Sequence, residues 1–247
     1  NLQFEDDTAN CMAFASAGKS LAIGLRNGCV RVWDVSERRF VQSFKLAEDP
    51  IESIDFSMDG SVVASGFGDG LIQLSRMDVS QVSLHLKGHA ERVTAVSFAP
   101  NGEHLASASR DGTVRIWDVA SGREVKRLHG HTSGVTCVAF SPDGSLLASG
   151  GYDDVVRIWD FAAGTEILDL KGHEGSVYSV AFSPCGSRLA TGDYGISKLW
   201  DLMTGCQLAN FEGRDDFGSS TPKRPWPILE MAFWPDGKYL LAFCASG

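Results

Sequence analysis

Apolar residues recur along this chain at a constant interval of 42 residues. Each interval is marked by a phenylalanine that closes a short, mainly apolar run, such as Val93 to Phe98, which is typical of a strand buried on both faces. Self-similarity at a period of roughly 40 residues indicates an array of equivalent structural units. The phenylalanines that mark the repeat are Phe14, Phe56, Phe98, Phe140 and Phe182.

Within the repeat at residues 87–128, the pattern of polar and apolar positions predicts four short strands. The first run ends at a turn over residues 99–102, where Pro and Gly occupy positions favoured in type I turns. The second run ends at the hairpin signal Arg-Asp-Gly of residues 110–112. The third run, residues 113–117, alternates in polarity. The fourth run, residues 124–128, carries charges, so it is predicted to be the outermost strand of an antiparallel sheet.

Two dipeptides recur at fixed places in these repeats. With Gly-His at the starts of three repeats and Trp-Asp at the ends of four third strands, the chain resembles the WD-repeat β-propeller family over essentially its whole length. The resemblance implies an all-β fold of radially arranged, four-stranded antiparallel blades. A β-sandwich is the alternative fold, but it does not need a constant period. The dipeptides are Gly88-His89, Gly130-His131, Gly172-His173, Trp33-Asp34, Trp117-Asp118, Trp159-Asp160 and Trp200-Asp201.

The repeat divides the chain into five complete blades and a partial sixth, which we expect to form a single propeller domain spanning residues 1–247. Residues 1–4 align with fourth strands and are expected to supply the outer strand of a neighbouring or closing blade. The last repeat stops after its second strand, which would leave open sheet edges, so we expect the parent chain to continue. The expected blades are residues 5–44, 45–86, 87–128, 129–170 and 171–211, with the partial blade at 212–247.

Histidine, serine and aspartate recur together with tryptophan in the third and fourth repeats. A hydrolase triad is one interpretation, but a nucleophile needs a single site beside a pocket, whereas this set returns in successive repeats. The resemblance implies instead a buried hydrogen-bond network that ties the loop between blades to the sheet. In the fifth repeat a threonine replaces the serine, and the turn that carries the aspartate is one residue shorter. The expected members are His89, Ser107, Asp111, Trp117, His131, Ser149, Asp153, Trp159, His173, Thr191, Asp193 and Trp200.

The network is expected to lapse in the first two repeats. Ile23 takes the serine position of the first repeat, and Ala47 and Ser75 replace the histidine and tryptophan of the second. His129, two residues before His131, occupies a position that is lysine in other repeats, which favours a surface location over a metal site.

The last repeat is longer than the others. Phe182 and Phe233 lie 51 residues apart, and the extra residues fall at 215–227, between an outer strand and the next inner strand. The resemblance implies that this loop opens on the same face as the turns between second and third strands. Long loops on rigid scaffolds often carry function. The expected partner-binding residues on this face are Arg26, Arg110, Tyr152, Tyr194, Phe217, Lys223, Arg224 and Trp226.

Charge and cysteine usage narrow the classes of function. The net charge of −9 comes without a basic stripe, so neither nucleic acid nor an anionic membrane is expected as a partner. No apolar run is long enough to cross a bilayer. The six cysteines show no CxxC spacing, so zinc is not expected, and free thiols favour an intracellular location, cytoplasmic or nuclear. No cofactor is expected.

These patterns predict a non-catalytic scaffold that binds a protein or peptide partner on one propeller face, with no small-molecule substrate. The arginines and tyrosines of the face suit an extended peptide with acidic or phosphorylated groups. One alternative is a sensor or regulatory domain of a larger signalling protein. Another is a propeller enzyme with a site in the central channel, although the inner-strand positions are mostly small or apolar, with Asp55 and Glu230 as exceptions.

Overall fold

The computed structural model describes residues 8–15, 18–77, 83–212 and 226–244. The chain divides into two compact units, Asn1–Gly130, called here the N-terminal unit, and His131–Gly247, called the C-terminal unit. In both units the described residues form β-strands and turns.

The N-terminal unit contains three four-stranded antiparallel sheets, and in each of them the strands are adjacent in chain order. The strands of the first sheet are β1 (Ala9–Phe14), β2 (Ser20–Leu25), β3 (Cys29–Asp34) and β4 (Arg39–Lys45). Those of the second sheet are β5 (Ile51–Phe56), β6 (Val62–Phe67), β7 (Ile72–Arg76) and β8 (Ser83–Leu86). Those of the third sheet are β9 (Val93–Phe98), β10 (His104–Ser109), β11 (Val114–Asp118) and β12 (Glu124–Leu128).

The C-terminal unit contains two further four-stranded antiparallel sheets and a two-stranded one. The fourth sheet comprises β13 (Val135–Phe140), β14 (Leu146–Gly151), β15 (Val156–Asp160) and β16 (Thr165–Leu170). The fifth comprises β17 (Ser179–Phe182), β18 (Arg188–Gly192), β19 (Ile196–Asp201) and β20 (Gln207–Glu212), and the sixth comprises β21 (Ile228–Phe233) and β22 (Leu240–Cys244). The predicted all-β fold of four-stranded antiparallel blades is confirmed.

Burial is greatest in the middle strands of each sheet and falls towards the fourth strand. In the third sheet, five of the six residues of β10 are buried, whereas β12 alternates between half-buried and exposed positions before its buried Leu128. Of the charged residues of this strand, Arg127 is exposed, as the polarity pattern predicted, whereas Glu124 and Lys126 are half-buried. The turn between the first two strands closes on Gly102 at φ +71°, a left-handed conformation that favours glycine.

Adjacent sheets within each unit approach closely at a glycine of the second strand. A Cβ on Gly66 would lie 2.6 Å from Val93 Cγ1, and one on Gly150 would lie 2.7 Å from Val177 Cγ1. Separations below 3.0 Å are not tolerated by real Cβ atoms, so glycine lets a branched side chain at or just before the next inner strand pack directly on the sheet.

The first sheet has an uncovered apolar face within its unit. Phe14 on β1 is 59% exposed, whereas Phe56, one repeat later, is 5% exposed in a core cluster that joins the first and second sheets. On β22 of the C-terminal unit, Leu241 and Phe243 are likewise exposed.

Asp55 joins the second sheet to the third. Its Oδ2 accepts a hydrogen bond from the backbone N–H of Phe98 on β9 at 2.8 Å, and its Oδ1 accepts one from the N–H of Phe56 at 2.8 Å. Burial raises the pKa of this carboxyl to about 6, and the two backbone donors only partly offset the desolvation.

We expect Asp55 to make the N-terminal unit less stable as the pH rises. Since the folded pKa of about 6 lies above the unfolded value of 3.8, the folded state holds the proton more tightly, and the free energy of unfolding falls as the pH rises between these values. The fall from this group amounts to about 3 kcal/mol at 1.36 kcal/mol per pKa unit. Urea denaturation of wild type and Asp55→Asn from pH 4 to pH 7 measures it. The difference in stability between the two should change across this range, whereas the exposed control Asp49→Asn should follow wild type, and parallel curves for wild type and Asp55→Asn would contradict the assignment.

Candidate functional site

A buried serine hydroxyl connects a loop, a turn and two strands in the third sheet. Ser107 Oγ on β10 accepts a hydrogen bond from Trp117 Nε1 at 2.8 Å and lies 2.7 Å from His89 Nε2. The other ring nitrogen, Nδ1, lies 2.9 Å from Asp111 Oδ2. Burial lowers the pKa of His89, so the ring is neutral. The arrangement then requires that Nδ1–H donates to Asp111 while Nε2 accepts the serine O–H.

Hydrogen bonds also hold the carboxylate of Asp111 in its ionised form. Desolvation opposes ionisation, but hydrogen bonds from Thr113, His89 and the backbone outweigh it and lower the pKa of Asp111 well below its usual range. The side chains of His89, Ser107, Asp111 and Trp117 therefore all have hydrogen-bond partners within the network.

The fourth and fifth sheets bring the corresponding residues together. Ser149 Oγ accepts from Trp159 Nε1 at 2.9 Å, and the ring of His131 reaches Ser149 Oγ at 2.8 Å and Asp153 Oδ1 at 2.9 Å. In the fifth sheet the same contacts measure 2.8 Å for Trp200 Nε1 to Thr191 Oγ1, 2.6 Å for Thr191 Oγ1 to His173 Nε2, and 2.7 Å for His173 Nδ1 to Asp193 Oδ2. The shorter turn therefore still delivers its carboxylate. Ser107, Ser149 and Thr191 are fully buried and bonded to indole N–H groups, unlike a nucleophile that must reach a substrate.

In the third and fourth sheets the network extends to the fourth strand through an arginine, whereas in the fifth sheet Lys198 takes this position and donates to Gln207 Oε1 at 3.1 Å. Arg115 lies 3.6 Å from Asp111 and 2.6 Å from Glu124. Arg157 repeats the arrangement, at 3.5 Å from Asp153 and 3.2 Å from Glu166 on β16. Neither arginine is among the residues predicted from the sequence, although Arg115 and Arg157 are 42 residues apart and so signal a shared role.

The first sheet replaces the polar network with an aromatic one. Ile23 is buried at the serine position, and Trp33 packs edge-on against Phe40 with ring centroids 5.0 Å apart. The guanidinium of Arg31 lies 5.7 Å from the centroid of Phe40, which stands where the third sheet has Glu124. Aromatic packing therefore takes the place of the salt bridge.

The second sheet loses the network without such a replacement. Ala47 and Ser75 stand at the histidine and tryptophan positions. The hydroxyls of Ser65 and Ser75 are buried and have no hydrogen-bond partner among the described residues. Buried unpaired hydroxyls carry a desolvation cost, so this sheet gains least from its polar residues.

Three tyrosines contact one another at one end of the C-terminal unit and are called here the tyrosine face. Tyr152 lies in the turn between β14 and β15, Tyr178 precedes β17, and Tyr194 lies in the turn between β18 and β19. The ring of Tyr178 is nearly perpendicular to both neighbours, at 83° and 6.3 Å from Tyr152 and at 85° and 5.1 Å from Tyr194. Its hydroxyl donates a hydrogen bond to the Tyr194 hydroxyl at 2.7 Å. Desolvation, followed by this hydrogen bond, raises the pKa of Tyr178 above its usual range, so the phenol stays neutral.

The structure extends this face beyond the predicted residues. Tyr178 was missed because its repeat position carries Asn10, Glu52, Thr94 or Thr136 in the other repeats, so the sequence signal was a large aromatic residue where small or polar ones are usual.

The end of the 215–227 loop is attached beside the tyrosine face. Tyr194 forms an isolated antiparallel bridge with Pro227, and the N–H of Ile228 donates to the carbonyl of Asp193 at 2.9 Å. Trp226, which precedes this bridge, is 39% exposed. The predicted binding residues Phe217, Lys223 and Arg224 lie outside the described residues.

The predicted arginines belong to the N-terminal unit. Arg26 is exposed in the turn between β2 and β3, and its N–H donates to the carbonyl of Thr8 at 3.1 Å. The N–H of Arg110 donates to the carbonyl of Arg92 at 3.0 Å, and the side chain of Arg92 pairs with Glu52 at 3.1 Å. The predicted binding residues of the N-terminal unit are therefore charged, whereas those of the tyrosine face are aromatic.

An exposed cysteine replaces the aspartate of a turn in the fifth sheet. In the fourth sheet Asp143 accepts hydrogen bonds from the serine hydroxyls two residues before and two residues after it, at 2.6 and 2.9 Å. Cys185 Sγ occupies the equivalent place, 3.4 Å from Ser183 Oγ and 3.1 Å from Ser187 Oγ. Hydrogen bonds from Ser183 and Ser187 to the thiolate lower the pKa of Cys185 to about 7.

Among the described residues, no group of three or more His, Cys, Asp and Glu side chains is arranged to hold a metal ion. The described part of the chain also lacks a helix long and apolar enough to span a bilayer.

The replacement of His131 by alanine should destabilise the protein by about 2–3 kcal/mol, because Asp153 and the Ser149 hydroxyl each lose their histidine hydrogen bond in a buried site. Chemical denaturation measures the loss. The matched control is His129→Ala, which removes an exposed histidine two residues away and should change stability by less than about 0.5 kcal/mol. Equal stabilities for the two variants would rule out the paired role of His131.

Cys185 should be alkylated by iodoacetamide with a rate that reaches half its maximum near pH 7, as followed by mass spectrometry of the folded protein. Buried Cys137, whose pKa burial raises to about 12, should be protected. In Ser187→Ala the midpoint for Cys185 should move towards the ordinary thiol value of about 8.5. An unchanged midpoint would show that the serine hydroxyls do not stabilise the thiolate.

The comparison with known families covers most of the repeats described above. The family model described as WD domain, G-beta repeat matches residues 80–118, 122–160 and 164–201, and each match ends on the aspartate of a Trp-Asp pair. The model of the anaphase-promoting complex subunit 4 WD40 domain matches residues 2–59. No curated protein matches the chain. WD repeats generally mediate protein–protein interactions. Since WD40 models match more than half of its residues and its sheets carry the expected blade structure, the chain belongs to the WD-repeat β-propeller family.

Proposed function

We propose that this chain is a non-catalytic protein-interaction domain that holds a partner segment on the tyrosine face of its C-terminal unit. The observation that carries the proposal is the contact between three tyrosines at strand ends, with Tyr194 45% exposed and Trp226 beside it in the chain segment bridged to Tyr194. Tyrosine and tryptophan are enriched at the energetic centres of protein interfaces.

The chemistry of the remaining polar groups supports binding over catalysis. The Ser, Thr, His and Asp side chains that resemble a catalytic triad are hydrogen-bonded within the buried networks. The hydroxyls of Ser107, Ser149 and Thr191 are therefore inaccessible to a substrate. The carboxylate of Asp55 on an inner strand is committed to two backbone N–H groups. An enzyme would need a separate polar cluster of its own.

A place in a larger assembly is part of the proposal. Residues 2–59 are similar to the WD40 domain of a subunit named for the anaphase-promoting complex, which supports a role in a multiprotein complex. An intracellular location, cytoplasmic or nuclear, is proposed with it. The constant repeat supports the further proposal that all of the blades belong to one propeller domain.

A quantitative pull-down tests this function. Tagged full-length chain is compared with Tyr152→Ala plus Tyr194→Ala, and the matched control is Tyr239→Ala, an exposed tyrosine elsewhere in the same unit. The paired substitution should lower the recovery of specific partners at least tenfold, whereas the control should not. A second pair, Arg26→Ala plus Arg110→Ala, tests the charged face of the N-terminal unit. If neither pair alters recovery, the binding surface lies elsewhere.

A further inference from the structure

We propose that the tyrosine face recognises an extended partner segment through an arginine side chain; this inference rests on the proposed function. It differs from the expectation of an acidic or phosphorylated peptide, which combined the tyrosines with Arg26 and Arg110. Those arginines are in the N-terminal unit, and the charged side chains in the segments around the tyrosine face are carboxylates.

The segments around the tyrosine face are joined by backbone contacts. The N–H of Tyr152 donates to the carbonyl of Gly134 at 2.9 Å, and that of Tyr178 donates to the carbonyl of Gly192 at 2.8 Å. A Cβ on Gly175 would lie 3.5 Å from Tyr194 Cδ2. The surrounding surface within the C-terminal unit is therefore formed by residues 131–136, 151–155, 172–178, 193–196 and 226–228.

The segments around the tyrosine face carry acidic side chains and no strongly basic ones. The five segments contain Asp153, Asp154, Glu174 and Asp193 but neither lysine nor arginine. Asp153 and Asp193 are nearly buried and held by the network histidines, and Asp153 also lies 3.5 Å from Arg157, so Asp154 and Glu174 supply the solvent-accessible negative charge of the face. A phosphate or carboxylate would find no basic side chain in these segments and would be repelled by like charge, whereas a cation is attracted.

The orientation of the rings favours a planar cation. Because Tyr178 stands nearly perpendicular to both neighbours, the three rings present faces and edges in different directions. A guanidinium stacks on aromatic faces and has several N–H donors. The Tyr178 hydroxyl donates its hydrogen to Tyr194 and is also hydrogen-bonded by the Ser176 side chain, so its hydrogen bonds are made within the tyrosine face and the rings themselves are left to contact the guanidinium. Hydrogen-bonded rings also lose little freedom on binding.

Fluorescence anisotropy with designed peptides tests the inference. The probe is a fluorescein-labelled Gly-Ser peptide that contains two arginines, and the matched peptides replace arginine with neutral isosteric citrulline, with lysine or with glutamate. The full chain should bind the arginine peptide at least tenfold more tightly than the citrulline, lysine and glutamate peptides. Asp154→Asn plus Glu174→Gln should weaken the binding of the arginine peptide and reduce its dependence on salt.

Substitutions separate recognition by the rings from general attraction to an acidic protein. Tyr178→Leu and Tyr194→Leu should lower affinity for the arginine peptide to the level of the citrulline peptide. Tyr178→Phe, which keeps the ring, should stay within threefold of wild type, as should the control Tyr239→Leu. Thermal unfolding establishes that each variant is folded.

The outcomes distinguish this inference from the proposed function. If citrulline or lysine peptides bind as tightly as the arginine peptide, or if the tyrosine substitutions have no effect on affinity, arginine recognition is overturned. If a glutamate or phosphoserine peptide binds best and loses affinity in Tyr178→Leu, the tyrosine face is a peptide site for the opposite charge, so the proposed function stands while this inference fails.

Discussion

A buried hydroxyl on the second strand is the point at which distant chain segments meet in the third, fourth and fifth sheets. Ser107, Ser149 and Thr191 each accept an indole N–H from the third strand and contact a histidine from the preceding loop. The histidine in turn holds the aspartate of the turn between the second and third strands. In the low dielectric of the interior such a chain is stable only when every member is paired, because an unpaired polar group costs more than its hydrogen bond contributes.

The tyrosine face depends on these networks for its geometry. Tyr152 immediately precedes Asp153, and Tyr194 immediately follows Asp193, so the carboxylates held by His131 and His173 fix the turns from which both tyrosines project. The scaffold and the candidate site are therefore consecutive residues in the chain. A partner bound as proposed would meet side chains whose backbone is already ordered, which reduces the entropy lost on binding.

Much of this structure could be predicted from the sequence because residues that are 42 positions apart occupy equivalent places in successive sheets. Once Trp117 and Trp159 are known to end equivalent strands, His89 and His131 must enter equivalent loops. The pairing of Arg115 with Glu124 was not predicted, because charge on a fourth strand indicates solvent exposure. The sequence pattern does not reveal that Arg115, on the third strand, contacts both Glu124 and Asp111. Tyr178 was missed for a related reason: its role comes from contact with two turns that are separate in sequence.

The first two sheets show that replacing only part of such a network leaves buried polar groups unpaired, whereas replacing its members together does not. In the first sheet, Ile23 and Phe40 remove the acceptors together, and Arg31 and Trp33 find an aromatic partner instead. In the second sheet the histidine and tryptophan are absent but Ser65 remains, so its hydroxyl is buried without a partner. In the sheets with complete networks the turn aspartates are paired with histidines, and beside two of those turns lie Tyr152 and Tyr194, of which Tyr194 is 45% exposed. The carboxylates that stabilise the C-terminal unit are therefore also the ones that position the turns of the proposed binding face.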